Sequence, residues 1–408
     1  MDAKSANSGN SGPKVRSDCQ MTLSLRKEGG LTIDLKSKVQ TLYGPSIIKQ
    51  CTEILGFYGL KNALLTVDDS GALPFVISAR LESVIKKLIR SDLDYLPEII
   101  EENDYETAHD RFRITRLYIP GNSPGMMINA GLHSADGIIL DLEDSVTPEK
   151  KDEARILVRN ALRQVNFYGA ERMVRINQGD RGLEDLEYVI PHNVNLILIP
   201  KCQGRESVLA VESKISDIKR KTGVTKRIHL MPIIESALGV ERSSEIACSS
   251  KEVVAIAVGL EDLAADLGVP RTDEGSESLY ARTRLIIAAK AAGIQPIDSV
   301  FTDISDMEAL KLNVAASKAL GFEGMGCIHP RQVPVVQKGF APDKEEIEKA
   351  KVIISAFREA EKNGLSVITL GTKMIDPPVV GRAQRLILYA LKLGLISDDS
   401  LDSGQSEK

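Results

Sequence analysis

A chain of 408 residues is too long for one ordinary small domain, and 52 Lys+Arg against 57 Asp+Glu leaves it mildly acidic, which argues against nucleic acid as its main partner. No run approaches the roughly 20 apolar residues that cross a bilayer, and the opening MDAKSANSGNSGPK lacks the apolar centre of a secretory signal, so no membrane partner is expected and the cytoplasm is the expected compartment. With 43% hydrophobic residues, 4% aromatics and no Trp, the core must come from Ile, Leu, Val and Ala, which suits layered α/β packing; the five scattered cysteines lack CxxC spacing and argue against a disulfide framework or a zinc site.

Residues 1–18 are small, polar and Gly/Ser-rich and are expected to form a flexible arm. Residues 19–91 read as a small α+β domain of order ββαββα. Met21–Leu25 and Leu31–Leu35 alternate around Lys27-Glu28-Gly29-Gly30 as a hairpin, and Val39 to Leu55 carries helical spacing that Gly44-Pro45 would break or restart. Ala63–Val67 and Leu73–Ser78, joined by Asp68-Asp69-Ser70-Gly71, read as a second hairpin ahead of a helix over 81–89. Residues 92–112, with Glu98, Glu101, Glu102, Asp104 and Glu106, read as an acidic, partly helical linker with a solvated face.

Eight short apolar runs follow, at 115–119, 137–142, 172–177, 195–200, 228–234, 253–259, 297–302 and 323–328, alternating with helix-like segments such as 149–165 and 280–292. That alternation predicts parallel strands with helical crossovers, and the expected fold is α/β, a (β/α)8 TIM barrel over 113–340. A doubly wound sheet is the alternative, without a GxGxxG after the first strand to support it. Residues 341–398 read as a C-terminal helical extension, a lid for a barrel mouth, built from helix Glu345–Asn363, the segment Gly364–Leu370 and the run GTKMIDPPVVGRAQRLILYALKLG.

The runs end in polar residues: Arg116; Asp141 with Glu143 and Asp144; Arg175 with Asn177; Lys201; Glu235; Asp262; Asp303; His329. In a barrel all strand carboxyl ends open on one face, so these residues are expected to line a single mouth. Glu235 in MPIIESALGV and Asp262 in VAVGLEDLAADLG stand one βα unit apart, each after an apolar strand, so two carboxylates at neighbouring strand ends would share one hard cation, Mg²⁺ better than zinc. The bland reading, that either acid caps the next helix, fits Glu poorly. Arg116 and Arg175 suit a carboxylate, phosphate or oxyanion, or an ion pair with Glu143 or Asp144 that only closes the barrel. Asp144 or Ser145 equally suits helix capping. Lys201 reads as a binding or a solvated lysine, His329 as structural or chemical, and Asp298 and Asp303 as loop-orienting residues. Asp376, in KMIDPP, is an acid in an apolar loop beyond the barrel, either a turn residue before Pro377 or an acid/base on a closing lid.

Together RLYIPGNSPGMM, GIILDLEDSV, VRIN, PK, PIIESALGV, VGLEDLAADLG, IDSVFTDISD, GFEGMGCIHP and KMIDPPVVGRAQR, covering about 113–396 in order, resemble the citrate lyase β subunit and its relatives the malyl-CoA and citramalyl-CoA lyases, the HpcH/HpaI aldolase/citrate lyase family. The resemblance implies a Mg²⁺-dependent barrel with metal on Glu235 and Asp262, a substrate arginine at Arg175, Arg116 and Glu143 lining the site, and a lid aspartate at Asp376, often supplied by a neighbouring subunit. RSDC, GGLTIDLKSKVQ and LLTVDDSGALPFVISARLESVI resemble the citrate lyase γ subunit, an acyl carrier protein. The carrier's phosphoribosyl-dephospho-CoA arm hangs from a serine in an SSD-like motif. This chain has Arg16-Ser17-Asp18, with Arg at the usual attachment position, so either Ser17 carries the arm or modification has been lost.

The implied activity is cleavage of a carrier-bound citryl thioester to an acetyl thioester and oxaloacetate, with a homo-oligomer and a citrate lyase α (acyl-exchange) subunit as partners. A fused carrier would raise the effective concentration of the thioester to the millimolar range, about that of a short tether. The alternatives are a lyase for free malyl-CoA or citramalyl-CoA, and a non-catalytic assembly subunit.

Overall fold

Four strands build the amino-terminal sheet: β1 (Ser5–Gly9), β2 (Cys19–Leu25), β3 (Leu31–Ser37) and β4 (Ala63–Asp69), in the order β1-β2-β4-β3. They belong to a computed structural model that describes residues 4–272, 274–362, 367–370 and 373–397. The expected flexible arm is corrected by β1, which pairs antiparallel with β2 from Ser5 opposite Ser24 to Gly9 opposite Gln20. Backbone hydrogen bonds hold this edge strand, so its small polar side chains are no obstacle.

The first expected hairpin does not form, because β4 lies between β2 and β3, antiparallel to one and parallel to the other. Leu65 and Val67 in β4 are fully buried. A strand withdrawn from water must satisfy its backbone groups along both edges, which only an inner position allows. The crossover from β3 to β4 is α1 (Gln40–Phe57), which continues through Pro45. The second expected hairpin is also absent: Leu73–Ser78 instead opens α2 (Pro74–Leu88). Pro74 at the first helical position has a preset φ and no N–H to leave unpaired. Asp69 Oδ1 accepts the Gly71 and Ala72 N–H groups at 3.0 and 2.7 Å and turns the chain into that helix.

Every residue of α2 from Phe75 to Ile85 is buried. Ile77, Leu81, Val84 and Ile85 join Met21, Ile54 and Leu65 in the core of the small domain, and the opposite side packs on the helix Lys151–Gln164. Charge fixes that joint. Fully buried Arg80 donates from Nε and Nη2 to both Asp18 oxygens at 2.9 Å and from Nη1 to Asn122 Oδ1 at 2.6 Å, with Glu153 Oε1 at 3.4 Å. Arg159 forks onto Glu82 at 2.9 and 2.7 Å. The expected acidic linker is a fitted strap. Asn103 is buried and donates to the Leu162 and Val165 carbonyls at 3.1 and 2.7 Å, and Tyr105 lies under the Arg172 guanidinium at 3.9 Å.

The larger sheet holds β5 (Thr115–Pro120), β6 (Gly137–Asp141), β7 (Glu171–Arg175), β8 (Leu196–Ile199), β9 (His229–Ile234), β10 (Ala255–Val258), β11 (Gln295–Ile297) and β12 (Met325–Cys327). Neighbours are parallel throughout, in the order β11-β10-β9-β8-β7-β6-β5-β12. The seam between β11 and β12 is closed by the parallel bridge Asp298↔Met325, with Asp298 N–H on the Gly324 carbonyl at 2.8 Å. Ile139, Met173, Leu198, Met231, Ile233 and Ala257 fill the interior, a packed core that leaves chemistry to the strand ends. This is a nearly closed eight-stranded TIM-like barrel with a small amino-terminal domain, packed together as one unit over 1–333.

The second unit, 334–408, contains helix Lys344–Lys362, an antiparallel pair β13 (Ile368–Leu370) and β14 (Lys373–Ile375), and helix Pro377–Lys392. Ile347, Ala350 and Ile354 pack against Ala383, Ile387 and Ala390. Residues 1–3 of the expected arm, 363–366, Gly371 and Thr372 of the expected extension, and its end at 398 lie outside the described residues. Among the described residues no helix is long and apolar enough to cross a membrane, and all five cysteines are free thiols.

Replacing Arg80 by Ala leaves Asp18 a buried carboxylate without its fork, while Glu153 keeps Lys150, Lys87 and Ser8, a loss of about 3–5 kcal/mol for a broken buried pair. Urea unfolding of Arg80→Ala is therefore expected to begin at lower denaturant, with earlier proteolytic release of the amino-terminal domain than in the parent.

Candidate functional site at the barrel mouth

A cavity of about 440 Å³ at the barrel mouth is lined by Arg116, Tyr118, Asp141, Arg175, Glu235 and Asp262 among others. Parallel register brings its first pair together. Asp141 and Arg175, the last residues of β6 and β7, are Cα partners, and Arg175 donates Nε and Nη2 to the two Asp141 oxygens at 2.6 and 2.7 Å. Burial pushes the Asp141 carboxyl up, but the Arg175 fork outweighs it and holds the group below the usual carboxylate range. Asp141 also accepts the backbone N–H groups of Glu143 and Ser145 at 3.0 and 3.1 Å, so it shapes the loop that follows.

Glu143 is buried. Its Oε1 accepts from Gln178 Nε2 at 2.7 Å, while Oε2 stands 3.0 Å from Arg175 Nη1 without hydrogen-bond geometry and is left as an unmatched acceptor. Burial, with Asp144 beside it, pushes its carboxyl up to about 7 despite the Arg175 charge. Tyr118 lies with its ring 5.3 Å from the Arg175 guanidinium carbon. Sequence reading missed Tyr118 and Gln178; the only signal was their position, Tyr118 two residues after Arg116 on the same strand and Gln178 three after Arg175, at the N-cap of helix Gly179–Val189.

Glu235 follows β9 directly, and its Oε1 accepts the Lys201 N–H at 2.6 Å. A Cβ at Gly259 would collide with Glu235 Oε2, so glycine there leaves room for the carboxyl. Burial pushes the Glu235 carboxyl up to about 8, with the Asp262 and Glu143 charges adding and the Lys201 N–H opposing. Asp262 is not at a strand end as expected. It lies in the first turn of helix Leu260–Leu267, which carries it to the same cavity. Lys201, at a backbone φ of +47°, places Nζ 3.2 Å from Asp262 Oδ1 and 3.9 Å from Glu143 Oε1.

Arg116 departs further from expectation. It is the second residue of β5, not its end, and its fully buried side chain reaches the cavity from within the barrel. Asp144 is half exposed at the rim, 3.4 Å from Arg175 Nη1. Asp303 and His329 do not line the cavity and serve local turns. Asp303 Oδ1 accepts from Ser305 N–H at 2.8 Å, and His329 Nδ1 accepts from Arg331 N–H at 3.2 Å.

Asp376 is the N-cap of helix Pro377–Lys392 in the second unit, its Oδ1 accepting from Val379 N–H at 3.1 Å. Ser17 has φ +54° and donates its N–H to the Ser70 carbonyl at 3.1 Å. It lies beside Gly125, in the short helix that follows β5, where a Cβ would sit 3.8 Å from that of Ser17.

Among the described residues no group of three or more His, Cys, Asp or Glu side chains forms a metal cage. The site therefore offers a two-carboxylate pair flanked by cationic groups. Both Glu143 and Glu235 sit above the ordinary 4.5, so between about pH 4.5 and 8 the folded metal-free protein holds protons that the unfolded chain has lost. Stability without divalent ions is thus expected to fall as pH rises through that window and level off above it. Denaturant titrations with a chelator should show the slope, and Glu235→Gln should remove the larger part of it.

The family model described as HpcH/HpaI aldolase/citrate lyase matches residues 115–330, and the ACP model, malonate decarboxylase delta subunit (MdcD), matches residues 8–88. Citrate lyase subunit beta of Leuconostoc mesenteroides subsp. cremoris is 39% identical over 285 residues, covering 69% of this chain and 94% of the relative. Human mitochondrial citramalyl-CoA lyase is 31% identical, covering 70% and 88%. Among solved structures, protein CitE of Mycobacterium tuberculosis in complex with magnesium, acetoacetate and coenzyme A superposes with a TM-score of 0.58 at 27% identity, covering 69% of this chain and 99% of that one. With its barrel matched from end to end and preceded by an ACP-like domain, the chain belongs to the HpcH/HpaI aldolase/citrate lyase family, a family of lyases.

Proposed function

We propose that this protein is a cytoplasmic Mg²⁺-dependent carbon-carbon lyase that cleaves a citryl thioester, carried on its own amino-terminal domain, into an acetyl thioester and oxaloacetate. The observation that carries the reading is the placement of Glu235 and Asp262 on one cavity with the Lys201 ammonium already drawn to Asp262. Magnesium suits a two-carboxylate site because it fills its remaining positions with substrate oxygens and water. Glu235 and Asp262 would hold it, and when bound it supplies Lewis-acid polarisation of the hydroxy-acid end of the substrate.

The chain's own residues carry the remaining steps of a reverse Claisen cleavage. Glu143, held near 7, takes the hydroxyl proton. As the carbon-carbon bond breaks, its electron pair moves to the acetyl carbon and onto the thioester oxygen, where the Arg175 charge stabilises it. Asp141 orients Arg175 for that task, and Lys201 helps hold the acid. Asp376 is the proposed proton donor to the acetyl carbon, supplied by a neighbouring copy of the chain. Ser17, beside the segment after β5, is the proposed attachment point of a phosphoribosyl-dephospho-CoA arm. The proposed partners are further copies of this chain and a citrate lyase α subunit for acyl exchange.

The human relative's name favours a second reading, a lyase for free CoA thioesters with the front domain as a docking element. Intact mass spectrometry of protein from its native host separates the two, since a heavy adduct on Ser17 supports the carrier and an unmodified Ser17 the free thioester. Glu235→Gln and Asp262→Asn are each expected to lower Mg²⁺-dependent cleavage by at least about 10²-fold, and Arg175→Met by about 10²–10³-fold, the usual loss for an oxyanion donor. Full activity in both acid variants would end the metal assignment.

A further inference from the structure

We infer that Arg116 is a specificity residue, which binds the second carboxylate of a dicarboxylic oxo acid at the bottom of the mouth and so selects citryl over citramalyl or malyl thioesters. The inference rests on the lyase reading above and adds the substrate class. Its starting point is an imbalance of charge. Arg80, Arg113 and Arg159 are equally buried, and each forks onto a carboxylate. Among the described residues Arg116 has no acid within ion-pair distance. Its Nε lacks any hydrogen-bond partner, and its Nη1 meets only the Met231 sulfur at 3.3 Å. A guanidinium withdrawn from water into such surroundings is costly without a counter-anion. The surroundings weigh against the charged form strongly enough to bring its pKa down to about 10, chiefly through burial.

Arg116 lines the mouth cavity, which supplies the space for an anion. In the parallel register its partners on both sides are glycines, Gly137 on β6 and Gly326 on β12. Registered residues on parallel strands point to the same face, and the room left by the two missing side chains is taken by Met173 beside Gly137 and by Val300 and Tyr118 beside Gly326, so the open space next to this guanidinium is the mouth cavity itself. Gly326 and Arg116 both line the cavity that holds Glu235 and Asp262.

Other cations at the mouth are already matched. Arg175 commits two nitrogens to Asp141 and its third stands between Glu143 and Asp144, and Lys201 is paired with Asp262. Arg116 sits lower, four residues before Pro120 at the end of β5, about 13 Å back along the strand. The hydroxy-acid end of the thioester, gripped at the rim by its hydroxyl and neighbouring carboxylate, sends its other substituent down this path. For a citryl group that substituent is a carboxymethyl, which gives Arg116 its anion; a citramalyl group puts a methyl there and a malyl group a hydrogen, leaving the charge unmet.

The test compares the full-length protein with Arg116→Met and Arg116→Lys. Binding of oxaloacetate and of pyruvate in Mg²⁺ is read by thermal shift and calorimetry, which requires neither carrier nor CoA. Wild type is expected to prefer oxaloacetate. Arg116→Met should cut the oxaloacetate-to-pyruvate preference by about 30-fold or more, as for loss of one partner of a buried charge pair, with Lys restoring part of it. The ratio of citryl-CoA to citramalyl-CoA cleavage should fall in parallel, through KM. Ligand-free Arg116→Met should melt higher than wild type, a gain that a residue placed for stability would not give.

A wild type that prefers pyruvate, or an unchanged preference in a folded Arg116→Met, overturns the inference and leaves the lyase reading standing. If wild type bound neither acid and cleaved neither thioester, the lyase reading would fail and this inference with it.

Discussion

One guanidinium held by one carboxylate across two neighbouring strands sets the geometry of the mouth. Because Asp141 and Arg175 are register partners at the last positions of β6 and β7, their fork is fixed by the same ladder that builds the barrel. Asp141 spends its remaining lone pairs on the loop that carries Glu143 and Ser145. Arg175 lies over Tyr118 and stands against Glu143. A rim organised in this way meets developing negative charge with a donor already in position, so little reorganisation is needed during reaction.

The acids opposite are treated differently. Glu235 receives one backbone N–H and feels the Arg175 charge, but burial and the nearby Asp262 and Glu143 charges outweigh both, so it resists ionisation. Asp262, more open to solvent, pairs with Lys201. Environment thus separates carboxyls that look alike in composition: Asp141 is kept ionised by a full fork, while Glu143 and Glu235 are held ready to change state or take a cation.

Buried charge also joins the amino-terminal domain to the barrel. Arg80 and Arg159 cross the joint with α2 and meet acids and amides from both sides. Ionic joints are directional, so they fix how α2 lies on its neighbour helix more narrowly than apolar contact alone would. Ser17 is adjacent to Asp18, the residue Arg80 grips, and its position beside Gly125 follows from that joint.

Seven of the eight barrel strands were legible in place because each is a short buried run between helical segments, a local pattern that needs no knowledge of partners; the seventh, expected at 297–302, lies earlier at Gln295–Ile297 and shares only Ile297 with that run. Glu235, Arg175 and Asp141 were legible for the same reason, since strand ends in a barrel share one face. The small domain was less so. Its strand pairing was misread because alternation shows that a residue run is a strand and says nothing of which strand lies beside it, and β4 was inserted where two local hairpins were expected. Leu73–Ser78 shows the limit from the other side: its alternation suits a strand, yet Pro74 and burial on both faces make it helix.

By itself, then, the sequence determined the order and type of the barrel elements and the identity of the acids and bases at their ends, because periodicity and residue chemistry are local properties. Only the tertiary structure decided which of those groups are paired and which are left alone. Asp262 reaches the cavity from a helix, Asp303 and His329 turn away to loops, and Arg116 lies within the barrel with no acid in ion-pair reach among the described residues and its Nε unmatched. Pairing depends on register across strands distant in sequence, and the effective charge of a buried group depends on what water has been replaced by, so neither is written in any one segment.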